Sequence, residues 1–207
     1  MATATDFLSQ AAQEFIAKQH VFFVATAPLA AEGHVNVSPK GLDTFRVLDS
    51  RTVAYLDLTG SGAETIAHLR ENGRIVLMFC AFEGPPKILR VHGRGEVIDP
   101  EHPDFAALSG IFPPLPGVRA IIRVQVTRVA ESCGYGVPLY QFVGERKQLT
   151  EWALRKGPQG LHDYRLRNNQ RSLDGLPALV RAGEEETEIR QRSEAGEAKR
   201  RSSQGDS

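Results

Sequence analysis

Cysteine, tryptophan and net charge are all scarce in this 207-residue chain, which has two cysteines, one tryptophan and a formal charge of zero. Cys80 and Cys133 are too few for a disulfide framework or a cysteine-based zinc site, so a reducing, cytoplasmic setting is expected. Lys+Arg 25 against Asp+Glu 25 lacks the basic excess of a dedicated nucleic-acid binder. No apolar run approaches the roughly 20 residues that span a bilayer. Met1–Phe7 also lacks a basic stretch followed by an apolar block, so neither a membrane segment nor an export signal is expected. There is no His-x-x-x-His pair, carboxylate cluster or paired-cysteine spacing, and no metal site is assigned. The sequence has no Gly-x-Ser-x-Gly elbow, dinucleotide fingerprint or P-loop.

What is present is a β-rich body followed by a charged end. Residues 181–207 carry seven acids and six bases but only four apolar residues, too few to offset the entropy of ordering. A solvated tail is expected there, with one domain over residues 1–180. Within the body, Val21–Thr26 reads as a buried strand and His34–Ser38 alternates at period 2, with Pro39 closing it. Thr44–Leu48 and Thr52–Leu56 form a second strand pair. Arg74–Phe82, Lys87–Val97 and Val118–Val129 are longer strands, and Gly93 and Gly95 suggest a bulge. Helices are expected over Asp6–Lys18, over Ala63–Asn72 with Gly73 as its C-terminal cap, and over Thr150–Lys156. Six or seven strands with few helices predict a mainly β fold, a barrel with α additions.

Three segments could carry chemistry. Between Tyr55 and Thr65 a strand ends, a Gly60-Ser61-Gly62 turn follows and a helix begins. Backbone N–H groups at such a helix start, with Ser61 and Thr65 hydroxyls, could cradle a phosphate; an ordinary capped turn has the same pattern. Glu64 places a carboxylate in that cradle. Val37-Ser38-Pro39-Lys40-Gly41 sets a cation near a strand end, which is either a phosphate partner or a solvated turn. Arg90, His92 and Arg94 alternate on one strand, with Arg90 favoured at a ligand or interface, Arg94 in water and His92 in an ordinary hydrogen bond. Cys133–Pro138 is either a structural glycine turn, the favoured reading, or a pocket mouth lined by Cys133 and Tyr135.

Taken together, His34–Lys40, Tyr55, the Thr59–Gly62 turn, the helix to Asn72, Ile75–Phe79 and Leu89–Arg94 resemble the pyridoxamine 5′-phosphate oxidase-like flavin-binding split-barrel family over residues 15–130. The resemblance implies a split β-barrel, a homodimer and FMN held between subunits, with F420 as the alternative cofactor. It places Ser38 and Lys40 near the flavin and its phosphate, Asp57, Leu58, Ser61, Gly62, Glu64 and Thr65 around the ribityl phosphate, and Arg90 beside the ring. It implies an FMN-dependent oxidoreductase acting on a small molecule, with no catalytic residue assigned. The alternative is a non-catalytic flavin-, F420- or haem-binding protein, for which His20, His34, His68 and His92 are the possible haem ligands. This chain departs from the vitamin B6 oxidases, which carry an Arg-Lys pair where Glu64-Thr65 stands. The glutamine expected near the flavin ring aligns with Ile88, and Asp163–Pro177 lacks a counterpart of their substrate-binding Arg and His. Pyridoxamine phosphate is therefore not the expected substrate.

Overall fold

A computed structural model describes residues 4–179; the expected tail at 181–207 lies outside the described residues. The first elements are strand β1 (Ala4–Thr5) and helix α1 (Gln10–Ile16). Helix α1 begins at Ser9, whose Oγ accepts the Ala12 N–H at 3.2 Å, and it buries Ala12 and Ile16. Satisfying that otherwise orphaned donor fixes the start, so the helix is shorter than Asp6–Lys18.

Strands β2 (Phe22–Thr26) and β3 (Asn36–Lys40) form an antiparallel hairpin, with Phe22 opposite Lys40 and Val24 opposite Ser38. The expected β3 is displaced by two residues. Pro39 lies inside it, and because β3 is an edge strand the missing N–H interrupts no ladder. Leu42 and Asp43, with φ of 62° and 54°, carry the chain from β3 into β4 (Phe45–Asp49). Strand β5 (Thr52–Leu58) then pairs with β4, and α2 (Glu64–Asn72) ends at Gly73 in the left-handed conformation expected of a helix cap.

β6 (Arg74–Cys80), β7 (Ile88–Ile98) and β8 (Val118–Ser132) complete the described sheet, whose order is β3-β2-β6-β7-β8-β5-β4, with β1 added to β8. Every pairing is antiparallel. The β7–β8 register shifts between His92 and Gly93, as the glycines predict. A Cβ on Gly93 would lie 2.5 Å from the Gln125 carbonyl oxygen, so only glycine allows that approach.

The sheet curls until its ends meet. The β4 ring of Phe45 lies 5.1 Å from the centroids of both Phe22 on β2 and Phe79 on β6. Val24, Tyr55, Leu77, Leu89, Val91, Ile122 and Val124 are fully buried in the enclosed core beneath Ile66 and Ala67 of α2. The other face of β5 and β8 buries Ala54, Leu56 and Ile121 against Phe112 and α3 (Phe105–Ser109), a helix not expected from sequence. The C-terminal helix α4 runs from Gln148 to Asn168 with a break at Gly157. It extends beyond the expected Lys156 because the chain re-enters a helix after Gly157, with Pro158 at the new first turn, where its missing N–H has no helical role.

Candidate functional site

At the junction of the sheet ends, four charged side chains from distant parts of the chain converge. Lys40 Nζ lies 3.2 Å from Asp57 Oδ1, and Arg119 Nε donates to Asp57 Oδ2 at 2.6 Å. Asp57 is fully buried and Arg119 nearly so. Burial alone would push the Asp57 carboxyl up; the Lys40 and Arg119 charges and hydrogen bonds outweigh it and hold Asp57 below the usual carboxylate range. Arg165 of α4 donates to the Thr59 hydroxyl at 2.8 Å and to the Val118 carbonyl at 3.0 Å. Burial, then the like charge of Arg119, draws the Arg165 pKa down. The Tyr55 phenol stays neutral, raised by burial and by Asp57. Its hydroxyl and Arg119 Nη1 are buried without partners.

A second polar cluster lies under α2. Asn36 Nδ2 donates to the hydroxyls of Thr26 at 3.1 Å and Thr65 at 3.0 Å, and Ser38 donates to Asn36 Oδ1 at 3.3 Å. Thr26, having accepted from Asn36, can donate to His68 Nδ1 at 3.0 Å, which puts the ring proton on the unpartnered Nε2. Burial lowers the His68 pKa against the pull of Glu64, Asp174 and Glu71.

Residues 169–179 pack beside the turn after β5 and meet it at Gly60 and Glu64. They fold back as a small hairpin, with Ala178 N–H donating to Gln170 O at 2.8 Å and Ser172 N–H to Leu176 O at 2.9 Å. Asn169 Nδ2 donates to Gly60 O at 3.1 Å, and Leu173 N–H donates to the Glu64 carboxylate at 2.9 Å. Asp174 accepts from the His34 N–H at 2.8 Å and pairs with His34 Nδ1 at 2.6 Å. Asn169 and Ala178 are fully buried, and Leu176 and Leu179 pack on the core.

The residues singled out from sequence are thus divided. Lys40 and Asp57 meet each other, Ser38 and Thr65 meet through Asn36, and Glu64 meets Leu173. Leu58 is half-buried beside the second apolar cluster, while Ser61 and Gly62 face solvent. Arg90 stands between the core-facing Leu89 and Val91, so it occupies the other sheet face, where it donates to Ser132 Oγ at 3.0 Å. Arg119, Arg165, Asn36 and the 169–179 segment were not singled out. A charge inside the apolar strand Val118–Val124 signals a buried pair for Arg119; nothing local marks Arg165 or Asn169.

Two cavities adjoin at His20, whose ring stacks on Phe142 at 3.7 Å. One, of about 660 Å³, opens between Gly41 and β4 and is walled by Phe22, Phe45 and Phe79. The other, of about 1080 Å³, lies between Phe15, Phe82, Pro86 and Tyr140.

The profile described as pyridoxamine 5′-phosphate oxidase matches residues 8–133. The chain belongs to this family. An Aspergillus flavus relative described as a pyridoxamine 5′-phosphate oxidase family protein, ustO, is 40% identical over 192 residues, covering 83% of this chain and 76% of the relative. Among solved structures, Group A Streptococcus HupZ matches 58% of this chain and 90% of its own at 23% identity and a TM-score of 0.45. An FMN-binding protein from Syntrophomonas wolfei matches 65% and 88% at 15% identity and a TM-score of 0.44.

The family implies a flavin phosphate, and the 59–65 turn does not fit one as it stands. Its carbonyl at Gly60 and its Thr65 hydroxyl are engaged, its one ionised group is the Glu64 carboxylate, and Lys40 is held by Asp57. The cavity of about 660 Å³, by contrast, has the volume of a small-molecule site, and its lining mixes Phe22, Phe45 and Phe79 with polar and charged residues that include Gln13, His20, Asp43, Arg46 and Glu145.

Proposed function

We propose that this chain is a flavin-dependent oxidoreductase, with FMN as its flavin, acting on a small molecule other than pyridoxamine 5′-phosphate. The observation that carries the reading is the cavity of about 660 Å³ at the sheet ends, walled by Phe22, Phe45 and Phe79, in a chain of this family. A flavin brings its own hydride chemistry, and what a protein contributes is orientation and a dry wall. Phe22, Phe45 and Phe79 supply one apolar side of the cavity, beside polar and charged residues that include Asp43, Arg46 and Glu145. Glu64-Thr65 at the start of α2, where the vitamin B6 oxidases carry an Arg-Lys pair, supports a substrate other than pyridoxamine 5′-phosphate.

In this reading the curled sheet is a split barrel within a domain over residues 1–180. Val35 and Val37, with 71% and 61% of their surface exposed at the β3 edge, become part of a homodimer face. The setting is cytoplasmic, where Cys80 and Cys133 remain free thiols. No helix of the described residues is long and apolar enough to cross a membrane.

The test is reconstitution of the purified chain with FMN, riboflavin, F420 and haem, read by absorbance and by mass of the released ligand. Uptake of FMN or riboflavin at one per chain is expected. Uptake of F420 or haem alone contradicts the proposal.

A further inference from the structure

We propose that Lys40, Arg119 and Arg165 form a site for one small oxyanion, a carboxylate or a phosphate, at the junction of the sheet ends. The proposal is independent of the flavin reading. Charge is out of balance at this junction, where three cations meet one carboxylate. Asp57 is shared by Lys40 Nζ at 3.2 Å and Arg119 Nε at 2.6 Å. Arg165 directs its hydrogen bonds to neutral oxygens instead, those of Thr59, Gly117 and Val118. Arg119 stands close enough for its like charge to act on Arg165. An excess of positive charge in so buried a place is costly until a counter-charge joins it.

The same cluster holds two buried donors without partners. Arg119 has only 5% of its surface exposed, yet its Nη1 makes no hydrogen bond. The fully buried Tyr55 hydroxyl makes none either, and Tyr55 shares a strand face with Asp57, two residues on. Arg119 thus gives Asp57 its Nε and keeps Nη1, while Arg165 uses Nε and Nη2. Guanidinium N–H groups held in a fixed plane suit the oxygens of a carboxylate or phosphate. A water molecule on Arg119 Nη1 would satisfy the hydrogen bond and leave the charge unchanged. Asp57 and Arg119 are buried, whereas Lys40 keeps 22% of its side chain exposed and Arg165 is half-buried, so the cluster has a solvent side from which an anion can enter.

The experiment titrates the full chain with acetate and, separately, with inorganic phosphate, each replacing chloride at constant ionic strength. The readouts are the Nε–Hε magnetic resonances of Arg119 and Arg165 and the urea midpoint. Saturable shifts of both resonances are expected, with the exposed Arg155 unmoved and the midpoint rising with anion concentration. Arg165→Met should weaken the anion about tenfold, and Arg165→Lys, which keeps the charge but loses the planar fork, about threefold. Should Arg165→Met fail to fold, Lys40→Met reads the same loss from the solvent side, at about fivefold. Saturation by acetate, by phosphate or by both upholds the site and names the group it takes. Shifts that stay linear and include Arg155 mark ionic screening and overturn the proposal. So does saturation with the same affinity in the Lys40 and Arg165 variants. A buried water on Arg119 predicts no response to either anion, and that result overturns it as well.

Discussion

Replacing Asp57 with Asn tests the charged junction most sharply. Asp57 accepts from Lys40 Nζ at 3.2 Å and Arg119 Nε at 2.6 Å while fully buried. Asparagine keeps the shape but leaves two cations facing a neutral amide. Removing one partner from a buried ion pair costs about 3–5 kcal/mol. For a body of this size, each kcal/mol lowers Tm by roughly 2–4 °C, so a fall of roughly 6–20 °C is expected. Urea unfolding followed by Trp152 fluorescence and circular dichroism should show a lower midpoint at constant slope. Adding Lys40→Met to Asp57→Asn should cost less than Lys40→Met in the wild-type chain, because the ammonium has already lost its counter-ion. The pH dependence has a fixed sign. The folded carboxyl titrates below the ordinary value of about 3.9. Its contribution is thus complete above about pH 4 and disappears as pH falls towards the folded value. A cost under about 1 kcal/mol for Asp57→Asn, the range of a solvent-exposed pair, would refute the junction as a buried structural centre.

Three further outcomes follow from the same geometry. His68 has a folded pKa below its ordinary value of about 6.5, so the unfolded chain takes up the proton first and stability should fall as pH drops through 6.5. His68→Gln should reduce that slope in urea midpoints measured from pH 5 to 8, leaving the part due to His92, which burial and then Arg128 also draw down; a wild-type chain with no slope there contradicts the assignment. Gly93→Ala should destabilise by about 2–3 kcal/mol by calorimetry, because the added methyl lies 2.5 Å from Gln125 O and Val124 Cγ1; a cost under about 0.5 kcal/mol would show that the β7–β8 crossing yields easily. Phe45→Ala should weaken riboflavin at least tenfold in fluorescence titration, and unchanged affinity would remove this wall from the site.

Much of the fold was legible because local rules and tertiary needs agree. The alternation of buried and half-buried residues in β2, the left-handed Gly73 after α2 and the bulge before Gly93 all follow from side-chain period or glycine geometry. The misreadings have equally physical causes. Pro39 looked like a strand end because a central strand cannot lose its N–H, yet β3 is an edge. Gly157-Pro158 looked like a helix stop, whereas the proline starts the second half of α4. Helix α3 is only five residues long, too short for a periodic pattern to emerge.

Within the candidate site, sequence identified Lys40 and Asp57 but not that each is the other's partner. That pairing depends on the curl bringing β3 to β5. Arg165 and Asn169 approach Thr59 and Gly60 across more than a hundred residues, with no pattern in their neighbours to mark the contact. Arg90 stands apart from Lys40 and donates to Ser132, because one step along a strand from the core-facing Leu89 reverses the direction of the side chain.

A crystal structure of the full chain soaked with riboflavin tests the central claim most directly. The account predicts the tricyclic ring in the cavity between Gly41 and β4, against Phe22, Phe45 and Phe79. A ring bound elsewhere, with that cavity filled by side chains, would contradict it.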